Sequence, residues 1–427
     1  MDRLSVYSSW KNKELKKILI IGKVWPEPTS SAAGTRMMQL IHHFIDEGDQ
    51  VTFVSSAKDS FYQEDLAKLD ISCSFVQLND SSFNKFIEKL DPQIVIFDRF
   101  MTEEQFAWRV MDTCPNAIRV LNTEDLHFLR EARHKALKRG KPMREHQDLE
   151  NLRSDLQLRE LAAIYRSDIS LMVSDFEVKL LNEAYQIPLE KVVHLPIYAT
   201  DSKDDLPAFE DRENFVFIGN FWHEPNWDAV RYLKSTIWPL ILKKVPKAKL
   251  TIYGAYCSEK VYQLANERER FLVKGRADDA LDVVSQSRVS LAPIRFGAGI
   301  KGKLLESMVC GTPSVTTTIG AEGMTDGEWG GFIEDSPEAF AERAAQLYLD
   351  QQEWGKAQER GFKLLQKRFT KKQFTEQLTQ CLEELNDLKA HRNKSLVSLI
   401  LQKESHQASR YMSIWIEEKK INGHGGS

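Results

Sequence analysis

The same short pattern opens this chain twice. Ile21-Gly22-Lys23-Val24-Trp25-Pro26-Glu27-Pro28 is echoed by Ile218-Gly219-Asn220-Phe221-Trp222-His223-Glu224-Pro225. Each is an apolar strand running into a glycine loop. A chain that restarts its fold contains two units, and 427 residues are too many for one ordinary core. Apolar, β-rich runs follow each start. In the first half they lie at Ile18–Ile21, Val51–Ser55, Ile71–Val76, Ile94–Phe97, Ile118–Leu121, Ile169–Val173 and Val192–Leu195. In the second they lie at Phe215–Ile218, Leu250–Tyr253, Phe271–Val273, Val289–Ala292 and Ser314–Thr318. Helical periods separate them, as at Ala33–Ile45, Thr102–Met111, Trp227–Leu242, Ser258–Glu269 and Leu281–Ser287. Buried strands alternating with helices predict an α/β fold of two Rossmann-like, doubly wound parallel-sheet domains facing a cleft. In such sheets ligands sit beyond the carboxyl ends of the strands.

The expected division is a leader over 1–16, a first domain over 17–200 and a polar linker over 201–213. A second domain covers 214–355. Helices over 356–390 follow, with the option of crossing back to the first domain, and 391–427 is an amphipathic or partly disordered tail. Glu124 to Tyr165 reads as extended helix with a break near Gly140–Pro142, and Gly423 to Ser427 as disordered. The net charge of −4 gives no global reason to expect nucleic acid. Five scattered cysteines lack metal-ligand spacing and read as thiols in a reducing compartment. The polar opening MDRLSVYSSWKNKELKK has no signal-peptide core, and no apolar run reaches the ~18 residues of a membrane span. A cytoplasmic protein is expected.

The chemistry concentrates in Leu291–Gly323, LAPIRFGAGIKGKLLESMVCGTPSVTTTIGAEG. Gly297 and Gly299 allow close backbone approach, so the amides of Ala298, Gly299 and Ile300 are expected to face a ligand at a helix start. Helix starts attract anions through free N–H groups and the macrodipole. Lys301 and Lys303 add charge for phosphate, and Glu306 can accept from vicinal hydroxyls such as those of a ribose. A tight strand–helix turn with solvated lysines is the plainer alternative.

This segment resembles the donor-site motif of family-4 glycosyltransferases of the GT-B fold. The run FVFIGNFWHEPNWDAVRYLKSTIWPLILKKVPKAKLTIYG resembles the opening of that family's C-terminal domain, and VKGRADD its next loop. The resemblance is strong from Asn214 to Met324 and looser before it. It implies transfer of a sugar from a nucleotide-diphosphate donor of UDP or GDP type, usually with retention of configuration. No cofactor or bound metal is implied, and the chain has no Asp-x-Asp pair.

Carried over by position, Glu306 holds the ribose and Lys301 and Lys303 neutralise the diphosphate. Gly219 and Asn220 line it, Arg276 frames the base, and Arg295 belongs to the donor loop with Gly297, Ala298, Gly299 and Ile300. The fuller motif has a glutamate where this chain has Ala298. That departure keeps a noncatalytic nucleotide-sugar-binding or scaffold subunit of a glycan assembly complex open as the alternative.

In the first domain, the loop Trp25 to Arg36 looks like the family's loop over the donor sugar. Gly34 would permit close approach, Arg36 would reach a phosphate, and Ser30 or Ser31 would cap the helix. His127, after Asn122-Thr123-Glu124-Asp125-Leu126, is the candidate contact to the donor sugar and is grouped with Lys303 and Glu306 as catalytic. The plainer reading is capping by Thr123 and Asp125. Asp98-Arg99 is a weaker candidate, and Ser174-Asp175-Phe176-Glu177 reads as a capping box. The basic run Arg130, Arg133, Lys135, Lys138, Arg139, Lys141 and Arg144 is either a solvated face or a contact with an anionic membrane. The partners expected are a nucleotide sugar and a glycan or lipid-linked acceptor.

Overall fold

The structure, a computed structural model, describes residues 15–141, 152–200, 205–325 and 327–423. The expectations for the leader before residue 15, Pro142, Arg144, the start of the linker and residues 424–427 lie outside the described residues.

The first sheet has seven strands. They are β1 (Lys17–Gly22), β2 (Gln50–Ser55), β3 (Ser72–Phe75), β4 (Ile94–Asp98), β5 (Ile118–Asn122), β6 (Ile169–Met172) and β7 (Val192–His194), in the order β3-β2-β1-β4-β5-β6-β7. The second sheet has six: β8 (Glu213–Ile218), β9 (Leu250–Tyr253), β10 (Phe271–Gly275), β11 (Ser287–Ala292), β12 (Ser314–Thr316) and β13 (Gly331–Ile333). Their order is β10-β9-β8-β11-β12-β13. All paired strands are parallel, as in β1 on β4 with Ile18 opposite Ile94. Both sheets reverse direction beside their first strand, between β1 and β4 and between β8 and β11. That reversal opens the crevice where ligands bind in doubly wound sheets.

The strands are apolar throughout because both faces are covered. Alternate residues feed opposite layers. Leu19 and Ile21 join Val95, Phe97, Val110 and Leu180 on one side. Ile18 and Ile20 join Leu40, Ile41 and Phe44 on the other. Phe374, Leu378 and Leu382 of helix Lys371–Glu383 lie in that second layer. The chain therefore returns to the first domain beyond Phe369, whose carbonyl accepts from the Ala199 amide (2.8 Å). The tail docks there too: Arg392 grips the buried Asp168 carboxylate with two hydrogen bonds of 2.8 Å.

Four elements differ from the sequence expectations. The helix expected over Trp227–Leu242 is divided. Glu224–Tyr232 passes through a π-turn, Leu233–Ile237, into Trp238–Lys244, because Pro239 supplies no N–H to the helical ladder. Ser258–Glu269 is helical only at Glu259–Tyr262. Asn266 Oδ1 instead accepts from the amides of Arg268 and Glu269, turning the chain toward Phe271. The strand at Ser314 stops at Thr316 because Thr317 caps a short helix through the Gly320 amide. The three-residue strand β13 was too short for the sequence to signal.

Candidate active site

The second domain contributes the loop after β8 and the segment between β11 and helix Gly302–Val309. Gly219 directly follows β8, and a Cβ there would lie 2.7 Å from Lys303 Nζ. A side chain there would push aside the Lys303 ammonium or the Asn226 amide. Lys303 Nζ donates to Asn226 Oδ1 (2.5 Å) and lies 4.3 Å from the centroid of the Phe217 ring. Burial pushes Lys303 down to about 7; Glu306 opposes this shift and Lys301 adds to it. Lys301 Nζ donates to the Gly299 carbonyl (2.6 Å), and burial pushes it to about 8 despite the pull of Glu322. Burial raises the Glu306 carboxyl, with Lys303 opposing. Burial thus disfavours the charged form of both half-buried lysines, although Glu322, Glu177 and Asp125 oppose it at Lys301 and Glu306 opposes it at Lys303. An anion bound beside them would favour the charged forms.

The first domain meets these groups directly. A Cβ on Gly302 would lie 2.7 Å from Ala32 Cβ, and one on Gly299 (φ +63°) would lie 2.9 Å from the Glu124 carbonyl and 3.0 Å from Asp125 Cβ. Asn220 Nδ2 donates to the Ser30 carbonyl (3.3 Å), and Arg276 Nη2 to Thr29 Oγ1 (3.0 Å). The Arg276 guanidinium covers the Tyr62 ring at 4.4 Å. Thus Gly219, Asn220, Arg276, Lys301, Lys303 and the donor loop all border the same interdomain crevice.

Several expected roles change. Arg36 is fully buried, with Nε on Asn122 Oδ1 (2.8 Å) and Nη1 on the Leu195 carbonyl, so it braces the ends of β5 and β7 instead of reaching a phosphate. Gly34 makes its close approach to the Glu27 backbone, 2.3 Å from a built Cβ, not to a ligand. Ser31 is the helix cap, accepting from the Gly34 amide (3.0 Å). Arg295 is committed within its own domain, paired with both oxygens of Asp228 (2.9 and 2.5 Å). The Gly299 amide, expected to face a ligand, donates to Glu177 (2.8 Å). The capping box at Ser174 does not form: its side chain makes no cap bond, and Glu177 accepts instead from the Leu126 and Gly299 amides.

His127 begins helix His127–Lys138, capped by Glu160, which accepts from the His127 and Phe128 amides (3.0 Å each). Thr123 and Asp125 do not cap it. Glu160 lies 3.2 Å from His127 Nδ1, and Asp125 lies 3.9 Å from the same nitrogen. Burial would raise the Asp125 carboxyl, but Arg130 and His127 hold it well below the usual range. Glu124 is pushed up to about 8 by burial, against the pull of Arg36 and with Asp98 adding to it. Beside it Arg99 adopts a left-handed backbone (φ 70°), a conformation costly for arginine, at the carboxyl end of β4.

The basic run is not one face. Arg130 pairs with Asp125, Arg133 is buried against Glu322, and Lys135 pairs with Glu131. Lys138, Arg139 and Lys141 remain exposed. Sequence reasoning missed Glu27, Tyr62, Tyr256 and Trp222 at the rim. Tyr256 donates to the Glu27 carboxylate (2.8 Å) and stacks on Trp222 with centroids 3.6 Å apart. Glu27 and Trp222 were visible in the repeated opening pattern; Tyr62 and Tyr256 carry no local signal.

Residues 212–350 match the family model described as glycosyl transferases group 1. Among curated proteins, an uncharacterized 44.6 kDa protein in the cps region of Klebsiella pneumoniae is 26% identical over 117 residues. That match covers 26% of this chain and 30% of the relative, so the chain aligns with about a third of that protein. Among solved structures, sucrose-phosphate synthase from Thermosynechococcus elongatus superposes with a TM-score of 0.66 at 16% identity, over 87% of this chain and 99% of that one. The pneumococcal O-GlcNAc transferase GtfA, in complex with UDP and GlcNAc, gives 0.65 at 12% identity over 87% and 99%. Anabaena HepE, in complex with UDP and glucose, gives 0.63 at 12% over 87% and 100%. Residues 212–350 thus resemble group 1 glycosyl transferases, and the chain shares the two-domain GT-B fold with solved glycosyltransferases.

Proposed function

We propose that this protein is a glycosyltransferase that moves a sugar from a nucleotide-diphosphate donor, of UDP or GDP type, to a glycan, lipid-linked or protein acceptor. The observation that carries this reading is the placement of two half-buried lysines, Lys301 and Lys303, with Lys303 Nζ against Gly219 at the switch point of the second sheet. A diphosphate there would favour the charged form of both. Glu306 takes the ribose hydroxyls, Asn220 and Arg276 border the nucleotide, and His127 faces the donor sugar. As the sugar–phosphate bond breaks, the two ammonium groups stabilise charge growing on the leaving diphosphate. Retention follows if a diphosphate oxygen itself takes the acceptor proton on the same face of the sugar. That route needs no dedicated protein base.

We place the protein in the cytoplasm, consistent with its five free cysteines. Among the described residues no helix is long and apolar enough to cross a membrane. A peripheral contact with anionic lipid is proposed through Lys138, Arg139 and Lys141. The exposed Leu396 and Trp415 of the C-terminal helices are a second candidate contact, with a membrane or with a partner chain.

A panel of nucleotide sugars in a thermal-shift assay, followed by hydrolysis of any donor that binds, tests the assignment. A true donor raises the melting midpoint, because it binds only the folded state, and is slowly hydrolysed. Glu306→Ala should abolish both effects. A wild-type protein that binds a donor yet never turns it over, with or without acceptors, would identify the scaffold alternative instead.

A further inference from the structure

The donor loop is held at both of its polar ends by the opposite domain. Arg133 Nη1 donates to the Gly297 carbonyl (2.9 Å), and the same guanidinium forms a two-pronged pair with Glu322 (2.7 Å each). Two residues along, the Gly299 amide donates to Glu177 Oε1 (2.8 Å), which also accepts from the Leu126 amide (3.1 Å). Leu126 directly precedes His127. One carboxylate oxygen therefore joins the donor loop to the loop that presents the first domain's candidate site residue. The ring of Phe176 lies under the Arg133 guanidinium at 5.6 Å, and His134 stacks on Phe296 with centroids 4.2 Å apart. Between the two grips, Ala298 packs into the apolar layer of the first domain.

We infer that Arg133 and Glu177 form a two-point clasp that fixes the Gly-Ala-Gly loop against the first domain, and that Glu177 is a positioning residue for the reaction. Glu177 is fully buried, and its Oε2 has no hydrogen-bond partner among the described residues. Stability alone does not favour such a group, since an unsatisfied buried carboxyl oxygen is costly. The clasp also explains Ala298. A glutamate there would place a carboxylate in an apolar layer next to Glu177.

The inference rests on the proposed function only for its kinetic arm. Hydrogen–deuterium exchange of the full chain judges the clasp without any substrate. In Glu177→Ala, amides of the peptides spanning residues 296–300 and 124–128 should exchange faster, while β11 stays protected. Glu177→Gln keeps an oxygen in the same place and should restore protection. On the donor found by the thermal-shift panel, Glu177→Ala should lower kcat ~10–100-fold, the scale of an ångström-sized misplacement, with affinity for UDP or GDP alone unchanged. Glu177→Gln should recover most of that loss. Unchanged exchange in Glu177→Ala, or a glutamine variant as impaired as the alanine one, overturns the clasp. Absence of nucleotide binding in the wild type would sink the function and leave the exchange result to decide the clasp.

Discussion

Nucleotide binding should draw a proton onto Lys303. In the free protein this ammonium sits beside Phe217 and Asn226, and burial lowers it from 10.5 to about 7. A diphosphate in contact with it favours the charged form, so the bound lysine titrates far higher. The sign follows directly. Well below pH 7 the lysine is already charged and adds no pH dependence of its own. Above pH 7 each binding event takes up a proton, and the dissociation constant rises by the factor 1 + 10^(pH − 7). That factor is about 2 at pH 7 and about 100 at pH 9. Affinity should therefore weaken about 50-fold over this window, or about 2.3 kcal/mol at the ~1.4 kcal/mol of each pH unit. Lys301, at about 8, adds up to about another tenfold if it too must be charged. Isothermal titration of UDP or GDP in two buffers of different ionisation enthalpy measures both the constant and the protons taken up. Lys303→Met should bind weakly and flatten the profile. A wild-type constant that stays level from pH 7 to 9, with no proton uptake, would refute the argument that burial neutralises these lysines.

Two other perturbations test the packing. Ala298→Glu restores the residue of the fuller motif, but the side chain at 298 is buried in the first domain's apolar layer. An unpaired buried carboxylate costs several kcal/mol, so we expect steady-state assays to show kcat at least ~10-fold lower; a gain in turnover would show that the loop has room for it. In the tail, Arg392→Ala leaves the buried Asp168 with Arg119 alone, and urea denaturation at neutral pH should show a loss of about 3 kcal/mol. Burial would raise Asp168, but hydrogen bonds from Arg392 and the charges of Arg119 and Arg392 hold it at about 2, below its usual 3.8. Its contribution is thus present above pH 4 and disappears as pH falls toward 2. In the variant the folded-state carboxyl titrates higher, so that acid-dependent loss should shrink and be complete at a higher pH.

The layered architecture was legible because its signal is local. Runs such as Ile18–Ile21 and Ile94–Phe97 are apolar at every position, which suits a strand covered on both faces. The repeated opening pattern announced a second sheet. Where the sequence misled, a competing local bond had won: Pro239 broke a helical period, and Asn266 turned a chain that composition read as helix. The lysines and Glu306 were visible because charge recurs beside paired glycines on one short segment.

What the sequence by itself determined is every strand but β13, the glycine positions and the chemical character of the donor loop. Each depends on neighbours within one element. Only the tertiary structure decided which polar groups meet. Arg36 reads as a phosphate ligand until the fold buries it beneath β5 and β7. Glu177 reads as a helix cap until the second domain presents the Gly299 amide to it. Arg133 reads as a surface cation until Glu322 closes on it. A charged side chain settles where its partner and its desolvation balance. Those partners lie on another domain, far along the chain, so no local pattern could have chosen them.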